Sequence, residues 1–260
     1  MLGDETMNIV VPMAGRGSRF VAAGYRTPKP LLPLGGRPMI EWVIENIRPR
    51  RQHRFVFLCL ADHLREFPDV PRALRQICPD CSIVPVSTVT DGAACTVLLA
   101  RELISSNAPL MIANSDQYVS LDINEYLAVG DRPGVDGQIM TFWSDHPKWS
   151  YCRLSETGAV TEVVEKQVVS NDATVGIYNF RKGSDFVRAA DRMIAEGLRV
   201  NGEFYVAPVY NKLIEEGQAI FVAGTGRERD GMYGLGTPED FDFFQTTQTF
   251  RSRVGNPAPK

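Results

Sequence analysis

The chain has 260 residues, of which 44% are hydrophobic and 23% charged, which is the balance of a folded protein and excludes a disordered one. Its formal net charge of −3 provides no overall attraction to a polyanion, so we expect no nucleic-acid partner. No apolar run approaches the ~20 residues that span a bilayer, and the start MLGDETMN is acidic where a signal peptide is basic, so we expect a cytoplasmic protein with no membrane partner.

Short apolar runs alternate with helical patterns through the first half of the chain. The predicted strands and helices, in chain order, are strand 8–13, helix 38–47, strand 55–60, helix 71–78, strand 82–86, helix 93–104 and strand 109–113. This order builds a mainly parallel sheet covered by helices on both faces, and ligands collect where its strands end. The segments 13–19 and 114–116, each at the end of a predicted strand, are therefore the leading candidates for a functional site.

The second half of the chain changes character, because its next strands have little helix between them. The predicted elements are strands 137–143, 151–154, 160–165 and 174–180, helices 184–196 and 207–216, strand 219–223 and a helix from Pro238. These strands extend the sheet as a mixed part. We predict one domain over residues 1–254, followed by a flexible tail over 255–260 that contains two prolines and a glycine.

Five cysteines, an odd number, lie mostly in apolar segments, which is typical of small core residues in a reducing compartment. Cys78 and Cys81 form a CxxC, but zinc sites usually need a second such pair, so a structural role is favoured over metal binding. The three histidines have no metal-ligand or triad spacing.

A glycine-rich loop, MAGRGSRF, follows the first predicted strand at residues 13–20. Its small residues let backbone N–H groups approach an anion closely, which makes it a candidate phosphate cradle. It is not a dinucleotide-binding loop, because Phe20 stands where a third glycine is needed, and it lacks the Gly-Lys-Ser/Thr end of a P-loop. Taken alone, the loop is equally consistent with a tight turn that binds nothing.

The segment TPKPLLPL, from Thr27, places Lys29 between two prolines. The prolines predict an extended, stiff backbone that holds the lysine rigidly. Bringing a phosphate monoester against a triphosphate gathers several negative charges, and preorganised cations lower that barrier. Arg19 and Lys29 are suited to supply them.

These two segments together, PMAGRGSRF and TPKPLLPLGGRPMIEWVI, resemble the signature of the nucleotide-sugar pyrophosphorylases, a family of sugar-phosphate nucleotidyltransferases. The resemblance continues through TDGAACTVLLA, ANSDQ, KWSYCRL, VVEK, VGIYNF, NGEFY and LGTPEDF. It implies an α/β fold of the Rossmann-like glycosyltransferase A type, with three layers around a central mixed, mainly parallel sheet.

The resemblance also implies where a nucleoside triphosphate binds. The residues expected to hold the phosphates are Ala14, Gly15, Gly17, Ser18, Arg19 and Lys29, and those expected near the nucleoside are Asp91, Gly92 and Ala93. Asn114 and Ser115 complete the expected nucleotide-binding residues. A helix N-cap before Ala93 is an alternative interpretation of the Gly92 turn, and it is compatible with binding.

The family's magnesium-binding aspartate matches Asp116. Mg²⁺ usually takes one or two carboxylates and completes its shell with phosphate oxygens and water. Many relatives carry a second aspartate before the last Gly-Thr, where this chain has Gly234. Either Asp116 and the triphosphate hold the metal with extra water, or another carboxylate such as Asp230 or Asp240 substitutes.

The acceptor is expected at an acidic and basic pair, with Glu165 binding its hydroxyls and Lys166 its phosphate. By position the resemblance adds Asn179, Glu203 and Tyr205 to the same pocket. The residues implied to carry catalysis are Arg19, Lys29, Asp116 and Lys166.

The resulting prediction is a nucleotidyltransferase, of the EC 2.7.7 type, that joins an NTP and a small phosphorylated acceptor and releases pyrophosphate. GAACTVLLA and YGLGTPED resemble a branch associated with capsule and surface-polysaccharide pathways that includes cytidylyltransferases, which gives CTP a slight preference. A glycosyltransferase of related fold is an alternative, although Asn114-Ser115-Asp116 lacks the first Asp of a D-x-D motif. A non-catalytic nucleotide sensor is another. The base, the acceptor and any homo-oligomer stay open.

Overall fold

The computed structural model describes residues 6–255. The strands are β1 (Met7–Met13), β2 (Pro33–Leu34), β3 (Arg37–Pro38), β4 (His53–Leu60), β5 (Ser82–Val86), β6 (Leu110–Ala113), β7 (Gln117–Val119), β8 (Gly137–Trp143), β9 (Ser150–Leu154), β10 (Val160–Glu165), β11 (Asp172–Phe180), β12 (Ile220–Glu228) and β13 (Gly231–Gly234). The helices are α1 (Ser18–Ala22), α2 (Met39–Ile47), α3 (Ala61–Glu66), α4 (Asp69–Ile77), α5 (Ala93–Leu98), α6 (Arg101–Ile104), α7 (Ile123–Gly130), α8 (Gly183–Ala195), α9 (Val209–Glu215), α10 (Pro238–Thr246) and α11 (Gln248–Gly255), with a 3-10 helix at Lys29–Leu31.

One large sheet runs through the molecule in the order β5-β4-β1-β6-β11-β8-β12-β13-β7. Its first four strands are parallel, with β1 paired to both β4 and β6. Strand β11 then runs antiparallel to β6 and to β8, and β12 returns parallel to β8. The β9–β10 hairpin joins the sheet through β11. The predicted mixed, mainly parallel α/β sheet is thus confirmed.

The sheet separates two apolar cores, which explains the uninterrupted apolar runs of the central strands. Along β1, Ile9 and Val11 face the core that holds Trp42 of α2, whereas Val10 faces the core that holds Phe186 of α8. A strand buried on both faces needs apolar residues at every position, because successive side chains alternate between the faces. Helices α2, α4, α7 and α10 cover the first face, and α5, α8 and α9 cover the second.

The elements predicted from the sequence are found with ends shifted by two residues or fewer, except that the strand predicted at 219–223 continues to residue 228 as β12 and that one helix differs. The predicted helix 93–104 is two helices, α5 and α6, because the N–H groups of Leu99 and Ala100 donate to carbonyls three residues back and tighten the turn between them. The elements that were not predicted include the short strand β7 at the edge of the sheet, its neighbour β13 and the helix α7. Asp122 caps α7, accepting a hydrogen bond at 2.7 Å from the backbone N of Asn124.

One domain over residues 1–254 remains a prediction. Of the predicted tail 255–260, residue 255 ends α11 and the others lie outside the described residues. None of the helices within residues 6–255 has the length and apolar character needed to cross a membrane.

Candidate active site

A cavity of about 550 Å³ opens where the parallel strands β1 and β6 end. Both segments that the sequence placed at strand ends border it, since the loop after β1 and residues 114–116 after β6 lie in its wall. The rest of the wall includes residues 25–30, three residues at α3 and five residues around the start of α5, together with Glu203; those at α3 are His63, Glu66 and Phe67, and those around α5 are Val89, Thr90, Gly92, Ala93 and Thr96. The strand order therefore gathers distant parts of the chain at one edge of the sheet, as expected for this type of fold.

The glycine-rich loop presents its backbone to this cavity. Gly17 has a φ of +62°, in the left-handed region that suits glycine, and it begins α1, whose buried Phe20 anchors the loop. Ala14, Gly15 and Gly17, which are expected to hold the phosphates, lie in the cavity wall, and their phosphate binding stays a prediction.

Two predicted phosphate ligands of the same loop are not in the wall. Ser18 and Arg19 are exposed at the start of α1, whereas Arg16, two residues after Ala14, lines the cavity. Phosphate binding by Ser18 and Arg19 stays a prediction. The loop nevertheless brings a cation to the cavity through Arg16, which sequence reasoning did not select.

The backbone of Lys29 differs from the extended conformation predicted for it. Residues Lys29–Leu31 form a 3-10 turn, in which the backbone N of Leu31 donates to the carbonyl O of Pro28 at 2.8 Å. Pro30 fits this turn, because its fixed φ is close to that of a 3-10 helix and the first turn of a helix needs no N–H donor. The prolines still fix the lysine, and its side chain lines the cavity.

Lys29 and Asp116, 87 positions apart in the chain, meet in the cavity wall. The Lys29 Nζ lies 2.6 Å from the Asp116 Oδ2, and the side chains are 18% and 30% exposed. The backbone O of Asp116 accepts a hydrogen bond at 2.7 Å from the N of Leu235. A Cβ at Gly236 would lie 2.8 Å from the Asp116 Oδ2, so only glycine leaves this carboxylate in place.

The carboxylates near Asp116 decide how a divalent cation could be held. Among the described residues, no group of three or more His, Cys, Asp or Glu side chains is arranged to bind a metal ion. Asp240 is already engaged: its Oδ2 accepts a hydrogen bond from Thr237, and its Oδ1 accepts one from Arg229. Asp230 is exposed in the turn between β12 and β13, and neither residue lines the cavity.

Asp116 with substrate oxygens and water is therefore the donor set that fits Mg²⁺ here. This cation accepts a single carboxylate when phosphates complete its shell. The Lys29 ammonium neutralises the Asp116 carboxylate in this structure. A divalent cation must therefore share the carboxylate with Lys29 or displace the ammonium.

The predicted nucleoside turn is locked to the segment around Phe204. Gly92 has a φ of +124°, and a Cβ there would lie 2.4 Å from the Phe204 carbonyl O. The Phe204 N donates to the Asp91 O at 2.7 Å, and the Ala94 N donates to the Phe204 O at 3.0 Å. Gly92 is also the N-cap of α5, as the alternative interpretation held. Gly92 and Ala93 line the cavity, whereas the Asp91 side chain pairs with Arg199 instead.

Four of the five predicted acceptor residues lie together beside this turn. The Lys166 Nζ donates to the Tyr205 hydroxyl at 2.6 Å, and this bond raises the pKa of the lysine. Burial raises the pKa of Glu165, whose carboxylate accepts a hydrogen bond from the Ser150 hydroxyl. The charge of Glu203, which lines the cavity, raises the pKa of Glu165 further.

The fifth predicted acceptor residue, Asn179, does not line the cavity, and its acceptor role stays a prediction. Strand β11 runs antiparallel to β6 and pairs Asn179 with Met111, so Asn179 lies toward the edge of the sheet where β6 begins, away from the cavity. Its side chain is buried beneath α7, with the Nδ2 2.9 Å from the position of a Cβ at Gly130. Asn179 is therefore a buried polar residue of the sheet.

Several residues have a role at the site that the sequence did not indicate. Gly176 has a φ of +99°, and a Cβ there would lie 2.2 Å from the Asn114 Nδ2, so this glycine of the VGIYNF motif makes room for Asn114. Asn114 and Ser115 line the cavity, and their nucleotide binding stays a prediction. The cavity residues that sequence reasoning missed also include Tyr25, Arg26, His63, Glu66, Thr90 and Thr96.

Comparisons with known proteins agree with this arrangement. The sequence model of the family described as Nucleotidyl transferase matches residues 9–206. The bifunctional protein GlmU of Thermotoga maritima is 27% identical over 212 residues, which are 79% of this chain and 44% of GlmU. Mannose-1-phosphate guanylyltransferase 1 of Arabidopsis thaliana is 27% identical over 184 residues, 66% of this chain and 49% of that protein.

Solved structures show the same fold. The nucleoside-diphosphate-sugar pyrophosphorylase from Vibrio cholerae RC9 superposes with a TM-score of 0.74 at 26% identity, covering 92% of this chain and 100% of that one. The inositol-1-phosphate CTP transferase from T. maritima superposes with a TM-score of 0.73 at 14% identity, covering 100% of both chains, which is a likeness of fold alone.

The matched part of the chain contains the glycine-rich loop, Lys29, the Gly92 turn, Asp116 and the hydrogen-bonded pair of Lys166 and Tyr205. The chain spans about half the length of the curated relatives that it matches, 44% in the case of GlmU. It belongs to the nucleotidyl transferase family.

Proposed function

We propose that this protein transfers the nucleoside monophosphate part of a nucleoside triphosphate to a small phosphorylated acceptor and releases pyrophosphate. The observation that carries the proposal is the ion pair of Lys29 and Asp116 in the wall of one cavity, with the Lys29 Nζ 2.6 Å from the Asp116 Oδ2. The glycine-rich loop lies in the same wall, and so do Gly92 and Glu203. A triphosphate and an acceptor can therefore meet at this pair.

The chain's cations would orient and neutralise the triphosphate. Lys29 would contact the phosphates that leave, and Arg16 and Arg19 of the loop would neutralise charge beside it. Preorganised cations of this kind act where charge develops in the transition state, and they need no reorganisation during the reaction. Asp116 would hold a Mg²⁺ ion, which when bound supplies further positive charge to the pyrophosphate as it leaves.

The acceptor would enter from the side of Lys166 and Tyr205. The ammonium of Lys166 would bind the acceptor phosphate, while Glu165 and Glu203 would accept hydrogen bonds from hydroxyl or amide groups. An acceptor phosphate is ionised at neutral pH, so its oxygen can attack the α-phosphorus in line without a strong general base. The α–β phosphoanhydride bond breaks as the new phosphoanhydride bond forms.

The proposal includes a slight preference for CTP and a place in surface-polysaccharide precursor synthesis. Both rest on two motifs, GAACTVLLA and YGLGTPED. The first begins at Gly92, in the nucleoside turn, and the second contains Gly236, which lies against Asp116. A sugar 1-phosphate is one candidate acceptor, in keeping with the guanylyltransferase relative, and a phosphorylated non-sugar is another. A cytoplasmic location is part of the proposal because the reaction consumes a nucleoside triphosphate.

The test is a pyrophosphate-release screen of ATP, CTP, GTP, UTP and dTTP against a panel of sugar 1-phosphates, phosphorylated polyols, amides and phosphonates, with and without Mg²⁺. We expect one pair of substrates to give magnesium-dependent release. Nucleotide binding without release by any pair would instead support a sensor. Consumption of an NDP-sugar, with transfer of its sugar, would support a glycosyltransferase.

A further inference from the structure

The C-terminal helices α10 and α11 lie beyond residues 9–206, the part that the family model matches, yet they pack near three segments of the cavity wall: the glycine-rich loop, the segment after Lys29 and the strands beside Asp116. Three phenylalanines make these contacts. They are Phe241 and Phe244 on α10 and Phe250 on α11. We call them the aromatic face of the C-terminal helices.

Phe250 contacts the segment that carries Lys29. Its ring stacks on Trp42, with centroids 5.0 Å apart and planes inclined by 28°. The Trp42 Nε1 donates to the Leu34 carbonyl O at 2.8 Å, and Leu34 follows closely after the 3-10 turn of Lys29. A Cβ at Gly35, the next residue, would lie 3.1 Å from the Phe250 Cζ. The ring therefore packs directly against the chain a few residues after Lys29.

Phe241 contacts the glycine-rich loop. Its ring meets that of Phe20 edge to face, with centroids 6.0 Å apart and planes at 88°. Phe20 is 1% exposed and donates its backbone N–H to the Gly17 carbonyl at 3.0 Å. The position of the Phe20 ring, held by Phe241, therefore fixes the position of the loop backbone at Gly17.

Phe244 contacts the two strands on either side of Asp116. Its ring lies 5.0 Å from that of Tyr118 in β7 and 5.3 Å from that of Tyr233 in β13, measured between centroids. Asp116 immediately precedes β7, and Gly236 follows two residues after β13. One helix thus supports both the aspartate and the glycine that makes room for it.

We propose that the aromatic face of the C-terminal helices positions the cavity's cations and Asp116 relative to one another, and that Phe250 is the positioning residue for Lys29. The inference rests on the proposed function. Edge-to-face and stacked aromatic pairs have specific geometries, and a close-packed core transmits a displacement with little loss. Moving Phe250 would therefore shift Lys29 away from Asp116, although the ring touches no substrate.

The test compares Phe250→Ala with Phe243→Ala. Phe243 is also a partly buried ring of this helical pair, but the Arg229 guanidinium lies over it, 4.6 Å from its centroid, and among the described residues it forms none of the aromatic pairs that join Phe241, Phe244 and Phe250 to the cavity segments. Hydrogen–deuterium exchange of residues 29–38 is measured without substrate, and kcat and KM for the nucleoside triphosphate are measured at saturating acceptor. Thermal midpoints show how much each variant loses in stability.

We expect faster exchange over residues 29–38 and a loss in kcat/KM of about tenfold or more for Phe250→Ala, with neither change in Phe243→Ala. Phe250→Tyr, which keeps the ring, should restore both properties. Equal exchange and equal kinetics in the two alanine variants, whatever their midpoints, would overturn the inference. If Phe250→Ala does not fold, Phe250→Leu is judged by the same two criteria.

Failure of the proposed function gives a different result. If the wild-type protein releases no pyrophosphate with any substrate pair, the proposed function fails, while the exchange rates of residues 29–38 still decide whether Phe250 positions the lysine segment.

Discussion

The Nζ of Lys29 lies 2.6 Å from the Oδ2 of Asp116, and Gly236 stands so close that a methyl group there would lie 2.8 Å from the same carboxylate oxygen. The pair is partly exposed, so it contributes little to folding stability but holds two opposite charges at a fixed place in the cavity wall. A triphosphate that enters would meet the ammonium, and a divalent cation would meet the carboxylate. The two side chains therefore act as one unit.

Replacing either member of this pair should remove most of the activity and little of the stability. Lys29→Met and Asp116→Asn are each expected to lower the rate of pyrophosphate release by about 10²-fold or more, because a charge aimed at the transition state is lost. The free energy of unfolding should change by no more than about 1 kcal/mol, as for a partly exposed ion pair. Steady-state kinetics and denaturant titrations measure the two quantities.

The matched control is Arg101→Met. Arg101 forms an ion pair of similar length, with its Nη2 2.7 Å from the Asp191 Oδ1, but it joins α6 to α8 outside the cavity. This variant should keep the wild-type rate. Near-wild-type release by both cavity variants would refute the roles assigned to Lys29 and Asp116.

Divalent cations should bind weakly until the triphosphate is present. Asp116 is already neutralised by Lys29, and the described residues provide no cluster of three ligating side chains. Titration with Mn²⁺, followed by electron paramagnetic resonance without nucleotide, should give weaker binding to the wild-type protein than to Lys29→Met and none at this site to Asp116→Asn. Equal Mn²⁺ affinity in the wild-type and Lys29→Met proteins would mean that the lysine does not compete for the carboxylate.

A side chain at Gly236 should displace the Asp116 carboxylate, whereas a small one at Gly234 should not. A Cβ at Gly234 would lie 3.4 Å from the Asp240 Oδ2, which is ordinary contact, while the Cβ at Gly236 would overlap the Asp116 carboxylate. Gly236→Ala is expected to lower kcat/KM by about tenfold or more by displacing that carboxylate, and Gly234→Ala to leave it unchanged. Similar kinetics in the two variants would show that the position of Asp116 is not critical.

The part of the site built on the parallel strands β1 and β6 could be predicted from the sequence, because the residues that follow each strand are visible there. Each of β1 and β6 is a buried apolar run that ends in small or polar residues, and parallel neighbours end at the same edge of a sheet. The loop after β1 and Asp116 after β6 therefore had to lie near each other. Lys29 followed from its family signature, although its backbone turned out to be a 3-10 turn and not an extended segment.

The rest depended on strand direction and side-chain orientation, which sequence patterns do not contain. Asn179 lies apart from the other acceptor candidates because β11 runs antiparallel to β6, so a residue near the end of β11 lies toward the start of β6. Arg16 and Arg19 occupy the same loop, and only the three-dimensional turn at Gly17 decides which of them lines the cavity. Gly176 is required by the side chain of Asn114, a contact between segments far apart in the chain.

Lys166 and Tyr205 should affect the acceptor and not the nucleotide. The Lys166 Nζ donates to the Tyr205 hydroxyl at 2.6 Å, and neither side chain is bonded to Lys29 or Asp116. Lys166→Met should raise KM for the acceptor about tenfold or more, since a hydrogen bond to a charged phosphate is lost, and leave the affinity for the nucleoside triphosphate unchanged. Tyr205→Phe keeps the ring and should have a smaller effect of the same kind. A rise in the KM of the nucleotide alone would contradict the assignment of this cluster to the acceptor.

Glu165 should make the folded protein less stable as the pH rises above the ordinary range of a carboxyl group. Burial raises its pKa above the usual 4.5, so between that value and the raised pKa the folded state binds more protons than the unfolded state, and the free energy of unfolding falls with pH. Glu165→Gln does not titrate and still accepts the Ser150 hydrogen bond. Its stability relative to wild type should therefore increase as pH rises from 4.5, then level off above the raised pKa, while acceptor binding weakens. Denaturant titrations from about pH 4 to pH 8 measure this difference, with Glu162→Gln as the exposed control on the same strand. Parallel plots of the free energy of unfolding against pH for wild type and Glu165→Gln would rule out a buried charge at Glu165.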